Sequence, residues 1–214
     1  MFSVRMLKDK GKGKRCLIIG GGMSVSRFDF SQLPKDMIIF CINDAKPKDV
    51  IIDYLVYRDC CFIDPLKEMS AKGELLQVKN IICFRSTYYS KGLNYKGEYY
   101  GYTDSDLSLK EVIKDNDNTG LKGIIIAKRI MNFKKIYLIG FDFKTEMVNG
   151  KKQSHFYGDH VGHGKKYYEQ NHLDSHYDRL SGMIGEFDRI KDTSNIFNCN
   201  KNSALTIFEY AMPY

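Results

Sequence analysis

All five histidines of this 214-residue chain lie in one short segment, residues 155–176. His155, His160 and His163 stand among glycines, and the other two begin and end the sequence HLDSH. Imidazole binds metals well and accepts protons near neutral pH. The concentration therefore indicates a metal site, a catalytic base beside a mobile lid, or chance.

The spacing of His172 and His176 would place both imidazoles on one face of a helix. Zinc-binding helices have this spacing, but the Glu of the HExxH motif is absent and no nearby Cys or Glu completes a ligand set. In a helix predicted at about 172–191, His176 falls inside the apolar stripe and His172 at its edge. A core histidine and a metal ligand remain open, and a general base that faces a crevice is the interpretation we favour.

Residues 144–171 precede this helix and contain His155, Tyr157, His160 and His163. Their polar, glycine-bearing composition predicts a lid that closes over a substrate and excludes water. We therefore expect one catalytic base on the helix, beside a histidine-bearing lid.

A second stretch with chemical potential is CLIIGGGMSVS, an apolar strand that runs into three glycines. Gly20, Gly21, Gly22 and Ser24 stand where backbone N–H groups can approach a phosphate or a ribose closely. The dinucleotide fingerprint GxGxxG is not met, and a triple glycine can simply form a tight turn. Its position after the first strand of an α/β pattern favours nucleotide binding.

Further polar residues stand at the ends of other predicted elements. Asn43 and Asp44 follow the second strand, where a side chain can reach the ribose or base of a nucleotide. Asn118, Thr119 and Gly120 open a predicted helix, either as a simple N-cap or as part of the same site.

The predicted strand that ends in GFDF carries a carboxylate at its tip. Gly140 precedes Asp142 there by two residues. Asp142 could hold a hydroxyl, position a histidine or cap a turn. We expect both residues at the same edge of the sheet as the glycine loop.

Short apolar runs separated by turn signals predict a single Rossmann-like α/β domain over residues 1–214, with a mainly parallel sheet and helices on both faces. The strands are predicted at Cys16–Ile19, Met37–Ile42, Tyr54–Tyr57, Ile81–Phe84, Ile136–Ile139 and Ile196–Asn198. The clearest helices are predicted at Leu121–Asn132 and at about His172–Lys191. Residues 86–118 are polar and tyrosine-rich and predict a long insertion, whose rings pack on the domain or stack on sugars or bases.

The net charge of +7 and the pI near 8.9 favour a polyanionic partner, such as nucleic acid or an anionic membrane. The lysines are scattered, with one cluster at residues 8–15, so a solvated basic surface or a phosphate-bearing substrate is the simpler explanation. No run of about eighteen apolar residues occurs, and the N-terminus lacks a secretory signal. We expect a cytoplasmic protein that can form oligomers.

The cysteines lie mostly in or beside apolar strand-like segments. None forms a CxxC pair, so we expect small buried side chains rather than disulfides or zinc ligands. The six are Cys16, Cys41, Cys60, Cys61, Cys83 and Cys199.

The order of these pieces resembles the bacterial lipooligosaccharide sialyltransferases of glycosyltransferase family 42 and a broader group of related domains. That group includes archaeal hydroxymethyldihydropterin pyrophosphokinases and flagellin motility-accessory glycosylation factors. The matching stretches, within residues 15–62 and 118–210, are LIIGGGMSV, FDFSQLPKDMIIFCIND, YLVYRD, NTGLKGIIIAKRIMNFKKIYLIGFDF, HLDSHYD and EFDRIKDTSNIFNCNKNSAL.

The resemblance implies a donor site for a cytidine nucleotide. The glycine loop and the strand-end Asn would grip the nucleotide through Gly20, Gly22, Ser24 and Asn43. The helix opening and the GFDF strand end would line the same site through Thr119, Gly120, Gly140 and Asp142. Of two histidines four residues apart, the second, His176, would be the general base that acts on the acceptor hydroxyl.

The chain also departs from the family pattern. The family's Asn in the first loop is Gly21 here, and the tyrosine after the strand-end Asp-Phe is Lys144. The arginine before Asn118 is absent, and the Asn after the third strand is replaced by Arg58 or Asp59. Lys144 could still neutralise a leaving phosphate, while the identity of the transferred sugar stays open.

Three functional hypotheses are consistent with these residues. The first is an inverting glycosyltransferase that uses a nucleotide-sugar donor, needs no cofactor or metal, and acts on a glycan, a small molecule or DNA. The second is a phosphotransferase with Mg²⁺ held by Asp142, Asp59 and Asp44. The third is a nucleotide- or nucleic-acid-binding module without catalysis. A basic face remote from Gly20–Gly22 would count against that module and against a DNA-modifying transferase.

Overall fold

The secondary structure alternates short strands with helices. The computed structural model describes residues 2–57, 63–73, 77–84, 95, 97–101, 118–153, 155, 180 and 182–214. Its strands are β1 Phe2–Ser3, β2 Arg15–Ile19, β3 Ile38–Ile42, β4 Ile52–Tyr57, β5 Val78–Cys83, β6 Glu98–Gly101, β7 Lys135–Ile139, β8 Glu146–Val148, β9 Lys151–Gln153, β10 Ile196–Asn198 and β11 Glu209–Tyr210. Its α-helices are α1 Ile63–Ala71 and α2 Thr119–Ile125, and α2 continues as a π-helical turn at Ile126–Ile130. Shorter 3-10 helices occur at Val4–Leu7, Met23–Arg27, Phe30–Gln32 and Gly185–Arg189.

Nine of these strands form one parallel sheet in the order β1-β6-β5-β4-β3-β2-β7-β10-β11. The remaining two, β8 and β9, pair as an antiparallel hairpin that follows β7 in the chain. This is the predicted Rossmann-like α/β fold with a mainly parallel sheet.

The direction of chain progression reverses at β2. From β2 the chain adds β3, β4, β5 and β6 outward on one side, and then returns to place β7 on the other side of β2. Open parallel sheets bind ligands at such a reversal, outside the carboxyl ends of the strands. The ends of β2 and β7 therefore mark where a ligand site is expected.

Successive side chains of β2 point into two different apolar layers, because side chains alternate along a strand. Ile18 packs in the layer that contains Leu121 of α2. Leu17 and Ile19 pack in the other layer, which contains Leu66 of α1. Helices thus cover both faces of the sheet, as the continuous apolar strands predicted.

Each of the six predicted strands is present, with ends shifted by at most three residues. The helix predicted at Leu121–Asn132 begins at Thr119 and becomes π-helical at Ile126. Of the helix predicted at about 172–191, residue 180 and residues 182–184 are helical and lead into the 3-10 helix, while 172–179 lie outside the described residues. No helix in the described ranges is long and apolar enough to cross a membrane.

The segment 86–118 is not wholly an insertion, because Glu98–Gly101 within it forms β6 of the main sheet. β6 pairs with β5 on one side and with β1 on the other. Strands of two to four residues, such as β1, β6 and β11, are too short to show a period of apolar residues. Most of the remaining segment lies outside the described residues.

The described cysteines are buried, and no two of them form a disulfide with each other, as predicted. Burial raises the pKa of the Cys16, Cys41 and Cys199 thiols, because the thiolate is poorly solvated in the core. These three thiols therefore act as small apolar groups. The neighbouring Cys60 and Cys61 lie outside the described residues.

Candidate functional site

The loops that follow β2 and β7 lie directly against each other. Gly20 N donates to the Ile139 carbonyl at 2.7 Å, and Gly22 N donates to the Gly140 carbonyl at 2.8 Å. A Cβ atom at Gly22 would lie 2.6 Å from Asp142 Oδ2, and one at Gly20 would lie 2.6 Å from the Gly140 carbonyl oxygen. Only glycine permits this approach, so these glycines shape the loop at the reversal point of the sheet.

The Asp142 carboxylate is the centre of a buried hydrogen-bond network and is 1% exposed. Oδ2 accepts from Ser24 N at 2.7 Å, and Oδ1 accepts from Ser24 Oγ at 2.6 Å and from Asn200 Nδ2 at 2.8 Å. Ser24 Oγ also accepts from Gly140 N at 3.1 Å. The carboxylate therefore joins the glycine loop, the end of β7 and the segment after β10.

This network bears on the proposed magnesium set of Asp142, Asp59 and Asp44. Oδ1 of Asp142 already accepts two hydrogen bonds and Oδ2 one, so a single lone pair, on Oδ2, is left for a metal ion. Within the described ranges no group of three His, Cys, Asp or Glu side chains is arranged to hold a metal. Asp59 lies outside those ranges, together with Arg58.

Asn43 combines two unusual features directly after β3. Its backbone is left-handed, with φ at 52°, a conformation that most side chains disfavour. Its side-chain oxygen Oδ1 is buried and accepts no hydrogen bond from any described residue. Asparagine adopts this backbone more readily than most residues, but a buried acceptor without a donor is costly. The Oδ1 atom therefore singles out the end of β3, where Asp44 follows, half-buried.

The start of α2 contacts the end of β7. Asn118 Oδ1 accepts from Gly120 N at 2.7 Å and from Leu121 N at 3.3 Å, so its side chain is the N-cap of the helix. A Cβ atom at Gly120 would lie 2.7 Å from Phe141 Cε1. Thr119 is buried at the same position. Asn118, Thr119 and Gly120 thus lie beside the reversal point of the sheet.

The chain segment after residue 180 is fastened to this helix start. Glu186 Oε2 accepts from Asn118 N at 2.9 Å, and Asn118 Nδ2 lies 3.5 Å from Met183 Sδ. Phe187 packs against Phe143, with ring centroids 5.1 Å apart. The residues that precede this segment, including His172 and His176, lie outside the described part of the chain.

The β8–β9 hairpin is fixed to the 3-10 helix that follows the glycine loop. Arg27 Nη1 and Nη2 each donate to one Glu146 oxygen at 2.7 Å, a two-point ion pair. These hydrogen bonds hold the pKa of Glu146 below its ordinary value, and the charge of Lys144 acts in the same direction. The hairpin ends beside His155, whose carbonyl accepts from Gln153 Nε2. Tyr157, His160 and His163 of the predicted lid lie outside the described residues.

The sequence did not single out several residues that hold the site together. Asn200 bonds Asp142, Glu186 bonds the start of α2, and Ser203 Oγ donates to the Phe141 carbonyl at 2.6 Å. Asn200 and Ser203 follow a predicted strand, as Asn43 does. Polar residues at the carboxyl ends of parallel strands gather at one edge of the sheet, and this signal in the sequence points to both.

No family model matches the chain, and no curated protein matches it. Solved structures of Campylobacter jejuni sialyltransferases do. CstII in complex with cytidine-5'-monophosphate aligns with 19% identity and a TM-score of 0.53, over 92% of this chain and 84% of that one. CstII in complex with CMP-3FNeuAc aligns with 18% identity and a TM-score of 0.53, over 94% and 87%. The monofunctional α-2,3-sialyltransferase Cst-I aligns with 15% identity and a TM-score of 0.52, over 93% and 80%. At such low identity these alignments show a shared fold over nearly the whole of this chain.

Proposed function

We propose that the chain is a glycosyltransferase that transfers a sugar from a CMP-linked donor to a hydroxyl acceptor. The observation that carries the proposal is the shared carboxyl edge of β2, β3 and β7, where the glycine loop and Asn43 follow paired strands and Asn43 Oδ1 accepts no hydrogen bond from any described residue. The fold shared with CMP-bound and CMP-3FNeuAc-bound CstII supports a cytidine nucleotide as the occupant of a crevice at that edge.

In this proposal the donor site is made mostly of backbone. Gly20, Gly21 and Gly22 let the chain approach the nucleotide closely, and Asn43 supplies the amide that selects its base or ribose. Thr119, Gly120 and Gly140 line the neighbouring wall. Asp142 and Ser24 form hydrogen bonds with each other, so their main role is to fix the conformation of the glycine loop rather than to contact the ligand. Lys144 offsets the charge that develops on the leaving nucleotide phosphate.

The proposed base is His176, with His172 beside it. Its imidazole accepts the proton of the acceptor hydroxyl while that oxygen bonds the anomeric carbon and the bond from this carbon to the phosphate oxygen breaks. The configuration inverts, the electron pair leaves on the nucleotide, and no metal or cofactor is needed. The contacts of Met183 and Glu186 with Asn118 support this assignment, because they fasten the end of the same predicted helix to the donor site.

Thermal shift against CMP, UDP, GDP and ADP tests the nucleotide site. We expect CMP to raise the melting temperature most, and no stabilisation by any nucleotide would refute the proposal. Asn43→Gly sharpens the test, since glycine adopts a positive φ without strain while the amide is lost. Asn149→Gly is the matched control, because Asn149 has φ at 50° in the exposed turn of the hairpin. The response to CMP should fall in the first variant only.

The base is tested separately by His176→Ala. Turnover should fall on the order of 10²–10⁴-fold while the response to CMP and the folding stability persist. If His172→Ala does equal damage and EDTA mimics both variants, the histidines bind a metal. Turnover that EDTA abolishes while both histidine variants stay active would favour the magnesium phosphotransferase.

A further inference from the structure

The edge of the sheet opposite the glycine loop carries exposed basic side chains. Residues 8–15 lie under the end of the π-helical turn, where Asp9 N donates to the Ile130 carbonyl at 2.9 Å. Lys134 N donates to the Lys14 carbonyl at 2.9 Å, so this loop and the start of β7 form one surface. The basic edge, as we call it, is the set of basic residues at the amino ends of β2, β3, β4, β7 and β10, where the exposed acids Asp9, Asp36, Asp49 and Asp192 are fewer. Its members are Lys8, Lys10, Lys12, Lys14, Arg15, Lys35, Lys48, Arg129, Lys134, Lys135 and Lys191.

The basic edge is exposed and only partly neutralised. All of its members are exposed except the half-buried Arg15, which bonds Asp36 at 2.9 Å. Of its nine lysines only Lys10 forms an ion pair with a residue of the described ranges, at 4.0 Å from Glu98; the other eight are Lys8, Lys12, Lys14, Lys35, Lys48, Lys134, Lys135 and Lys191. A surface with this excess of cations attracts polyanions over a distance set by the ionic strength.

The position of the basic edge argues against nucleic acid as the substrate of the crevice. Lys14 and Arg15 lie at the amino end of β2, whereas Gly20–Gly22 follow its carboxyl end. A transferase that modifies DNA bases needs cations beside the reacting site, because phosphate contacts position the duplex. Among the described residues this cluster lies at the wrong end of the sheet for that task.

The composition of the basic edge favours a lipid surface over nucleic acid. Lysines dominate, and a lysine ammonium lacks the two-point fork with which arginine reads bases and phosphates. Ile51, three residues after Lys48 in the chain and directly before β4, is a large apolar side chain with 60% exposure. An apolar side chain among lysines is typical of proteins that rest on an anionic membrane surface.

We propose that the basic edge docks the protein on an anionic lipid surface, with Ile51 entering the headgroup layer. The crevice then faces away from the lipid, open to a soluble donor. This inference is independent of the proposed glycosyl transfer, because it uses no residue of the crevice.

Sedimentation with vesicles tests the docking. The protein should bind phosphatidylcholine vesicles that contain phosphatidylglycerol, bind pure phosphatidylcholine at least about 100-fold more weakly, and lose binding as salt rises. The triple variant Lys12→Glu, Lys14→Glu, Lys134→Glu should bind the anionic vesicles at least about 100-fold more weakly. The control Lys67→Glu, Lys152→Glu, Lys201→Glu changes the net charge equally outside the basic edge and should bind nearly as the wild type does.

A second variant separates lipid from nucleic acid. Ile51→Ser should weaken vesicle binding by about 5-fold and leave any weak binding to a DNA duplex unchanged. Equal loss of vesicle binding in both triple variants would overturn the proposal. A DNA duplex that displaces the protein from the vesicles by binding the same lysines would overturn it as well. The thermal response to CMP is measured on every variant, so failure of the donor site and failure of the docking are recorded separately.

Discussion

The two edges of the same sheet use polar side chains in opposite ways. At the carboxyl edge, Ser24 and Asp142 are buried and bond each other, and Asn200 completes their network. At the amino edge, Lys12 and Lys134 are exposed and form no ion pair within the described residues. The carboxyl edge is thus held by a few specific hydrogen bonds, whereas the amino edge carries many exposed charges without specific partners among the described residues.

This difference sets how each edge responds to substitution. A buried polar group that loses its hydrogen-bond partner has no water to replace it. The loss of one contact at the carboxyl edge should therefore lower the free energy of unfolding substantially. An exposed charge stays solvated when its partner is removed. Each charge at the amino edge should therefore contribute little to the free energy of unfolding. The carboxyl edge should therefore govern stability and donor geometry, while the amino edge should govern only electrostatic attraction.

The largest difference between the two edges is expected when one carboxylate is removed from each of them. Asp142→Ala leaves Ser24 N, Ser24 Oγ and Asn200 Nδ2 without their acceptor, and should lower the free energy of unfolding by about 3–5 kcal/mol. Asp36→Ala removes a 73% exposed carboxylate that bonds Arg15, and should lower it by less than about 1 kcal/mol. Urea denaturation measures both, and equal losses would abolish the distinction between the edges.

A smaller loss is expected from a methyl group added to the glycine loop. The new Cβ of Gly22→Ala would meet Asp142 Oδ2 at 2.6 Å, and forced repacking should reduce the free energy of unfolding by about 2–3 kcal/mol. Gly185→Ala is the control, because nothing lies within 4 Å of the Cβ it would add. Thermal melts with and without CMP should show a lost nucleotide response in the first variant alone. A retained response would mean that the close approach of these loops is unnecessary for donor binding.

The sequence predicted the fold well because its central strands are apolar over most of their length. After a charged first residue, β2 and β7 are uninterrupted apolar runs buried on both faces, as is typical of strands in a parallel sheet covered by helices. The strands β1, β6 and β11 were not predicted, because two to four residues are too few to show a periodic pattern of apolar side chains. Their position depends on pairing with distant segments, which no local pattern records.

The site was predictable in its position and less so in its roles. Polar residues at the ends of β2, β3 and β7 do lie at one edge, since the carboxyl ends of parallel strands share it. However, the sequence left Asp142 free to hold a hydroxyl, a histidine or a metal. Its partners Ser24 and Asn200 are 118 and 58 residues away in the chain, and only the folded structure shows that they occupy its oxygens.

The segment after β10 offers a finer test of the buried network. Asn200→Ala removes one donor to the Asp142 carboxylate, and should reduce the free energy of unfolding by about 1–2 kcal/mol. Affinity for CMP should fall a few-fold as the glycine loop loosens. Asn202→Ala is the control, since Asn202 is exposed in the same turn. Isothermal titration would contradict this link if both variants bound CMP as the wild type does.

The smallest expected effect compares an ion pair from each edge. Arg27 bonds Glu146 at two points beside the crevice, whereas Arg15 and Asp36 have a single contact of 2.9 Å. Two parallel hydrogen bonds fix the geometry of both side chains, so the coupling of the first pair should be about 0.5–1 kcal/mol and that of the second near zero. Double-mutant cycles with Arg27→Ala, Glu146→Gln and Arg15→Ala, Asp36→Asn measure both couplings.

The pH dependence of the first coupling has a definite sign. Its hydrogen bonds with Arg27 hold the pKa of Glu146 below the ordinary value of 4.5, so the folded protein binds this proton less readily than the unfolded chain. The stabilisation should be complete above that ordinary value and disappear as the pH falls through the lowered pKa of the folded state. As the pH falls from neutral through the lowered pKa of the folded state, the wild type should therefore lose its advantage over Glu146→Gln. An advantage that persists at the acid end would mean that the two-point geometry contributes nothing to the stability of the hairpin.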